Sequence, residues 1–492
     1  MKSIYKHETE IAKNGSAIPI FENGNLVHSK YNPQAETAKM ADRDARYAVV
    51  IGVGGGYHIE SMHRAHPEMT IIAVENSQDD FDILRNIPCV RSLLKEANII
   101  FCTKNNLAKT LLSTYIPVFH GDLQITTLRA WTTNYPELDA EIRAIINIAL
   151  KNISADFSVQ THFGRHWHRN ILENLKYFSA QKAVSLPVPN GRTAAVIAAG
   201  PTLDVAIKKI EKYRKNYVVI ATDTAFSALV KRGIFCDVVV SIDCQNVSFR
   251  HFLHFPQKNP PLCVFDIGSP HSSIAIAAKN GAPILFSMSA HPLAVLAGQF
   301  GHFLSLESGA GTVTIAAADF ARQLGFCDIE LFGADFSYSR GKPYAAGTYF
   351  DEIFGGAESR ISRSENAFCA LMFRTKLIAE GACVFSTEML KKYAQTVRDF
   401  FYQHGFSEIE KNKFHTSKKS VIAKAHSVPF PFQDFRTYLL SETEKLLAEK
   451  NIEKFKAVFF AHLPLIAAIK EKNLPFFDRL KLAYEASVRY TI

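Results

Sequence analysis

Short apolar runs rich in β-branched residues recur along the first three-quarters of the chain, most of them followed by a stretch of helical periodicity. The first is YAVVI at 47–51. A glycine turn, a helix and a second run, TIIAVE, follow it and end at Glu75. ANIIFCT at 97–103 predicts another strand, and residues 140–153 carry apolar positions at helical spacing. PVPNG at 187–191 marks a boundary. Beyond it a new series opens with RTAAVIAAG and continues through YVVIATD, DVVVSID, PLCVFDI, APILFSM and DIELFGADF. Helical segments such as TAFSALVKRGI and GTVTIAAADFARQLGF separate some of these runs. Continuous apolar strands alternating with helices predict a largely parallel sheet covered on both faces, an α/β fold. From about residue 357 the pattern is helical without clear strand runs, broken by two prolines near 426–432. The expected organisation is a small β-rich leader over 1–45, a Rossmann-like α/β domain over 46–185, a central α/β domain over 186–356 and a helical region over 357–492. A chain of 492 residues is too long for one core, and about three domains are expected.

Composition narrows the class. The chain is 47% hydrophobic and 21% charged, with 37 phenylalanines, which is the make-up of packed cores. No leader with an apolar core opens it, and no run of about 18 uncharged apolar residues occurs, so a cytoplasmic protein without a transmembrane segment is expected. Segment 458–470 is apolar but short and carries His462 and Lys470, which suits a packed or amphipathic helix. The net charge of +9 concentrates in 408–426 and the C-terminal helices. It lacks zinc-finger spacing or a basic-aromatic stripe on a strand, so nucleic acid is not the expected partner. A solvated face or a docking surface remains. The eight cysteines form no CxxC pair and mostly sit in apolar runs, as buried reduced thiols do.

Candidate chemistry collects where open α/β sheets bind ligands, at the C-terminal ends of strands. In the first unit, Gly52-Val53-Gly54-Gly55-Gly56 follows a strand and precedes a helix, and Glu75 ends the next strand. Two readings stand: a nucleotide turn, or glycines serving tight strand–helix packing. In the central unit, Gly200, Pro201 and Thr202 open a helix whose N–H groups suit a phosphate, although a plain helix cap reads the same way. Asp223 and Asp243 end two strands, with Gln245 and Asn246 beside the second, and suit ribose and base contacts or a metal pair. Ser308, Gly309, Gly311, Thr312 and Thr314 crowd glycines and hydroxyls before a helix, again a place for an anion. Asp335 ends a further strand. The polar loop 339–348 after it is expected to fold over substrate and bring Arg340 or Lys342 to a phosphate. His291 follows strand APILFSM.

The ordered set AAGPTLD, ATDTAFSALVKRGIFCDVVVSIDCQ and GAGTVTIAAADFARQLGFCDIELFGADFSYSRGKPYAAGT resembles the motility-associated factor glycosyltransferases of bacteria. Their central domain is similar to archaeal 6-hydroxymethylpterin diphosphokinase and to bacterial sialyltransferases. The resemblance is strongest over 190–350. It implies a sialyltransferase-like central domain that binds a nucleotide sugar. It further implies transfer of a nonulosonic acid, of pseudaminic or legionaminic type, from a CMP-activated donor to Ser or Thr hydroxyls of flagellin. No obligatory cofactor is implied. The family's Gly-Pro-Ser-Leu pattern falls on Gly200, Pro201, Thr202 and Leu203, and its Gly-x-Asp pattern on Gly333, Ala334 and Asp335. The family often places a His before Ala-x-Gly, where this chain has Tyr344. Tyrosine titrates near ~10 when unperturbed and is a poor base at neutral pH. Asp335, Asp243 and His291 are therefore the candidate bases, with Tyr344 at the family's position. Two rival readings are an ATP-dependent pyrophosphokinase acting on a pterin, which needs Mg²⁺, and a non-catalytic flagellar assembly or flagellin-binding factor.

Overall fold

The computed structural model describes residues 3–37, 45–180, 184–308, 311–418 and 429–492. It divides into two compact units, Met1–His162 and Phe163–Ile492, and the division falls inside the 43-residue helix Pro136–Phe178.

In the first unit an antiparallel hairpin, β1 (Tyr5–Ile11) and β2 (Ala17–Phe21), precedes four parallel strands: β3 (Tyr47–Ile51), β4 (Thr70–Glu75), β5 (Ile99–Thr103) and β6 (Leu123–Thr127). Their order is β5-β4-β3-β6, so the chain reverses direction across the sheet between β3 and β6. Tyr5, Phe21 and Val27 from the leader join the same core as the sheet.

The second unit holds a nine-stranded sheet. β7 (Thr193–Ile197), β8 (Tyr217–Thr222), β9 (Val238–Ser241), β10 (Leu262–Asp266), β11 (Ile284–Met288) and β12 (Leu304–Ser305) step outward in chain order. β13 (Asp328–Phe332) then returns to the opposite side of β7, parallel to it. Every residue of β8, β9 and β10 is buried, as continuous apolar runs require when helices cover both faces. Val196, Val218, Ile220 and Val240 face helix Val313–Gln323 in one cluster. The alternate positions Ala195, Ile197, Val219 and Ala221 are buried as well, toward the other face.

The region expected to be helical departs from a purely helical pattern. A small sheet joins β14 (Tyr338–Ser339), β16 (Val384–Ser386) and β15 (Ile378–Gly381). β17 (Ser407–Glu410) and β18 (Lys413–His415) extend the main sheet, β18 lying antiparallel to β13. These strands are three or four residues long and charged, so no apolar run announces them. Helices Phe432–Glu449, Lys456–Ala467 and Phe476–Thr491 end the chain. The middle one is buried from Val458 onward except for the half-buried Phe460, and Gly164 approaches it so closely that a Cβ there would collide with the Pro464 carbonyl. That settles segment 458–470 as a packed helix. No described helix is long and apolar enough to cross a membrane. Residues 419–428, which contain part of the basic stretch and the start of the proline break, lie outside the described residues. Of the thiols expected to be buried, Cys236, Cys244 and Cys263 are buried, Cys89, Cys102 and Cys327 are half-buried, and Cys369 and Cys383, beyond the apolar strands, are exposed.

Candidate active site

The main sheet of each unit reverses once, and the ends of the strands flanking a reversal form a natural crevice. In the first unit that crevice is filled by the protein itself. A Cβ at Gly52 would lie 2.7 Å from the Trp131 ring, and one at Gly54 within 2.9 Å of Leu128, His28 and Val27. Glu75 is fully buried. It accepts from Val53 N–H (3.0 Å), Asn76 N–H (3.1 Å) and the Tyr5 hydroxyl (3.2 Å), and burial pushes its carboxyl up to about 7. The glycines there let large side chains close on the turn, which is the packing reading.

In the second unit the reversal lies between β7 and β13, and the crevice is open. The two strands continue as paired loops: Ala198 N–H donates to the Phe332 carbonyl and Gly200 N–H to the Gly333 carbonyl, both at 2.8 Å. Gly333 holds φ +64°, where a Cβ would collide with the Ala198 carbonyl. A Cβ on Gly200 would sit 2.5 Å from the Gly333 carbonyl oxygen and 2.6 Å from Asp335 Oδ2. Close approach thus brings the Asp335 carboxylate to the start of helix Leu203–Lys212. Thr202 donates its N–H to Oδ2 (2.7 Å) and its hydroxyl to Oδ1. A carboxylate at a helix N-terminus is favoured by the helix dipole. At this turn Asp335 takes the amide and hydroxyl of Thr202, groups that the sequence offered to a phosphate or to a helix cap.

The other helix start remains available. Helix Val313–Gln323 is capped by Thr312, whose Oγ1 accepts from Thr314 N–H at 3.3 Å. Ile315 N–H goes to the Thr312 carbonyl, which leaves the Val313 amide without an acceptor among the described residues. A cavity of about 190 Å³ lies before this helix, lined by Ala198–Gly200, Thr222, Thr224, Thr312–Thr314, Gly333–Tyr338, Pro343, Tyr344 and Leu390. Gly200, Thr312, Thr314, Asp335 and Tyr344 are therefore brought together. Tyr344 stacks on Phe350 with ring centroids 4.7 Å apart, and burial pushes its hydroxyl up to about 12, so at neutral pH it is a donor. Gly311 lies beside the site, where a Cβ would meet the Tyr393 ring at 3.0 Å.

The remaining candidates lie elsewhere. Asp223 is buried next to the cavity, and its oxygens accept from Thr224 N–H (2.6 Å), the Thr224 hydroxyl (3.1 Å) and the Ser241 hydroxyl (2.7 Å). Asp243 is held by Gln245 N–H (3.0 Å) and the Ser248 hydroxyl (2.8 Å). Neither carboxylate lines the cavity, and among the described residues no group of three His, Cys, Asp or Glu is placed to hold a metal. Gln245 and Asn246 are exposed, and Asn246 accepts from Arg169 at 3.3 Å. His291 follows β11, with β10, β9 and β8 between it and β7. It accepts from Leu293 N–H at 3.2 Å and meets Trp167 edge to face, and burial holds its imidazole down to about 3. Pro201 and Ser308 are outside the cavity lining, and Gly309 lies outside the described residues. Loop 339–348 is anchored and does not hang free. Ala346 N–H donates to Asp204 (3.0 Å), Arg232 to the Ala346 carbonyl (2.6 Å) and the Ser227 hydroxyl to the Gly347 carbonyl (3.0 Å). Lys342 pairs with Asp204 at 3.6 Å.

Helix Glu388–Gln403 lies in the region read as helical, but sequence reasoning did not connect it with the site. Its Leu390 enters the cavity, and its Lys391, Gln395 and Arg398 line an adjoining cavity of about 650 Å³ whose wall includes Asp335 and Thr202. The signal was present as i, i+4, i+7 spacing of polar residues opposite Val397, Phe400 and Phe401.

Residues 167–341 match a family model described as 6-hydroxymethylpterin diphosphokinase MptE-like. An uncharacterized protein of Treponema pallidum (strain Nichols) is 36% identical over 156 residues, covering 31% of this chain and 74% of the relative. A second from the same organism is 30% identical over 294 residues, covering 57% of this chain and 97% of the relative. The solved structure of the MAf glycosyltransferase from Magnetospirillum magneticum AMB-1 aligns over 100% of this chain and 87% of that one. The TM-score is 0.56 and the identity 13%. The chain belongs to the family of these treponemal proteins and, around an MptE-like central domain, has the fold of the motility-associated factor glycosyltransferase.

Proposed function

We propose that the chain is a cytoplasmic glycosyltransferase that moves a nonulosonic acid from a CMP-activated donor to Ser or Thr hydroxyls of flagellin. The observation that carries this reading is one crevice holding a fixed carboxylate, Asp335, opposite an open helix start, Thr312–Thr314. The likeness in fold to a MAf glycosyltransferase supports it. In the reaction, the acceptor oxygen forms a bond to the anomeric carbon as the bond from that carbon to phosphate breaks. CMP departs with the bonding electrons, and the acceptor proton passes to Asp335. The Val313 amide, the Thr312 hydroxyl and the helix dipole stabilise the charge gathering on phosphate, and the Tyr344 hydroxyl donates to it. The two bonds from Thr202 orient Asp335 toward the acceptor.

The test is intact-mass analysis of flagellin incubated with the full chain and CMP-nonulosonic acid. Asp335→Asn is expected to slow transfer by about 10²–10⁴-fold while CMP still binds. Flagellin of unchanged mass with the wild-type chain refutes the reading. A second reading, pyrophosphoryl transfer from ATP to a hydroxymethylpterin, is favoured by the match over 167–341. It predicts loss of activity with a chelator and rescue by Mg²⁺. The third, a flagellin-binding assembly factor, predicts binding to flagellin without donor turnover.

A further inference from the structure

The cavity before Thr312 is about 190 Å³, below the ~300–1,000 Å³ usual for small-ligand sites. The adjoining cavity is about 650 Å³ and shares Ala334, Asp335, Phe336 and Ser337 with it. It is built by the segments that extend the fold past β13. The Ser386 side of the small sheet forms one wall. The β17–β18 turn forms another, fixed by Leu331 N–H donating to the Asn412 carbonyl at 2.8 Å. Helix Glu388–Gln403 forms a third and turns its polar face, Lys391, Gln395 and Arg398, inward.

The charge is lopsided. Lys391 pairs with Glu380 at 3.3 Å. Arg398 and Lys411 have no carboxylate partner among the described residues, yet both line the cavity. The other carboxylate in the wall, Asp335, already accepts two hydrogen bonds from Thr202. Two unpaired cations facing a concave space of ligand size are an anion site. A guanidinium suits a carboxylate in particular, because its planar fork makes two parallel bonds to it.

We infer that this second cavity binds the carboxylated sugar of the donor, with Arg398 gripping the carboxylate and Lys411 beside it, while the phosphate rests at Thr312–Thr314. The inference rests on the proposed transferase reading and adds the sugar subsite to it. Asp335 then lies in the wall common to both compartments, next to the bond that breaks. An acidic peptide is the competing occupant. The compact volume of about 650 Å³ favours the sugar, since a peptide lies along a longer surface.

Calorimetric titration of the full chain with free N-acetylneuraminate tests this, with neutral N-acetylmannosamine as the control. The expected result is saturable binding of the acid sugar that persists in saturating CMP and weakens at least tenfold in both Arg398→Gln and Lys411→Gln. The neutral sugar is expected to bind at least tenfold more weakly. CMP-induced thermal stabilisation of each variant, measured on the same samples, shows that the fold and the nucleotide pocket are intact. If CMP binds and the acid sugar does not, or the two variants bind the sugar as the wild type does, the inference falls and the transferase reading stands. Sugar-acid binding without any response to CMP keeps the subsite and removes the nucleotide reading. Tighter binding of a glutamate-rich peptide that displaces the sugar overturns the sugar assignment.

Discussion

At the scale of single residues, Asp335 and the glycines around it shape the crevice between β7 and β13. Thr202 keeps the hydroxyl of the family's serine, and that hydroxyl binds the carboxylate. Gly333 is irreplaceable for a related reason: its positive φ and its approach to Ala198 let β7 and β13 run on as paired loops. Gly333→Ala is expected to destabilise the second unit by roughly 1–3 kcal/mol, through strain in the left-handed region and the collision with the carbonyl. Thermal melting reads this as a fall of several degrees. Trp131 has the opposite significance. It is fully buried, donates Nε1–H to the Tyr5 hydroxyl at 3.0 Å and fills the first glycine turn. Trp131→Ala is expected to cost about 3–5 kcal/mol of stability. CMP binding per folded molecule is expected to be unchanged. A Trp131→Ala chain that folds well and loses CMP binding would contradict the packing role of that turn.

Among the elements, four helices share a polar contact inside the second unit. His168 and His462 stack at 5.4 Å, and their Nε2 atoms meet the hydroxyls of Ser487 (2.7 Å) and Thr443 (2.9 Å). Each hydroxyl donates to a carbonyl four residues back, so each imidazole donates its Nε2–H to the hydroxyl. Burial holds His462 down to about 4 and His168 well below its ordinary value, and the nearby His462 and His291 further disfavour a positive charge on His168. In the unfolded chain these rings take protons near ~6.5. Their contribution to stability is therefore complete above that pH and is lost as pH falls toward 4. Asp266 acts in the reverse sense: burial raises it to about 7, so its contribution is fully present in acid and is lost as pH rises through 7. The readout is accordingly a difference. Between pH 6.5 and 4, melting of the wild type is expected to fall more steeply than that of His462→Gln, which keeps a donor for Thr443 and cannot titrate.

Legibility also differed by element. Strands β7 to β11 and β13 showed in the sequence because burial on both faces demands unbroken apolar runs. β17 and β18 did not, because edge strands of three or four residues are stabilised by pairing with a neighbour that the sequence does not name. The same blindness left Asp335, Asp243 and His291 unranked as candidate bases. Every parallel strand ends in polar residues, and only the strand order tells which ends flank the reversal. At about 4.8 Å per strand, β9 ends about 10 Å from β7 and β11 about 19 Å away. The order places β13 beside β7, which singles out Asp335. Lys391 and Arg398 were legible as a helical face but not as a site, because what that face looks upon is set by β14–β16 and β18.

For the whole molecule, two units carry the same kind of reversal and use it differently: one is plugged by side chains, the other open. A nucleotide should therefore act on one of them. On the proposed transferase reading, CMP at about 100 times its Kd is expected to add about 2.7 kcal/mol of stability by mass action. Hydrogen exchange is expected to slow at the amides of 198–202, 312–316 and 333–336, with no change at 52–56. Slowing at 52–56 instead would move the nucleotide to the first unit.

The late return of β13 to the side of β7 also bears on biosynthesis. A ribosome that has delivered β7 through β12 has produced a sheet with its innermost strand still unpaired along one flank. Pairing there waits for β13, and β18 then covers β13 in turn. Until that moment the nascent polypeptide has no crevice for a nucleotide and presents a bare edge to its neighbours. Prematurely terminated products ending before residue 328 should accordingly be inert and sticky, and chaperone demand during translation should peak over that interval.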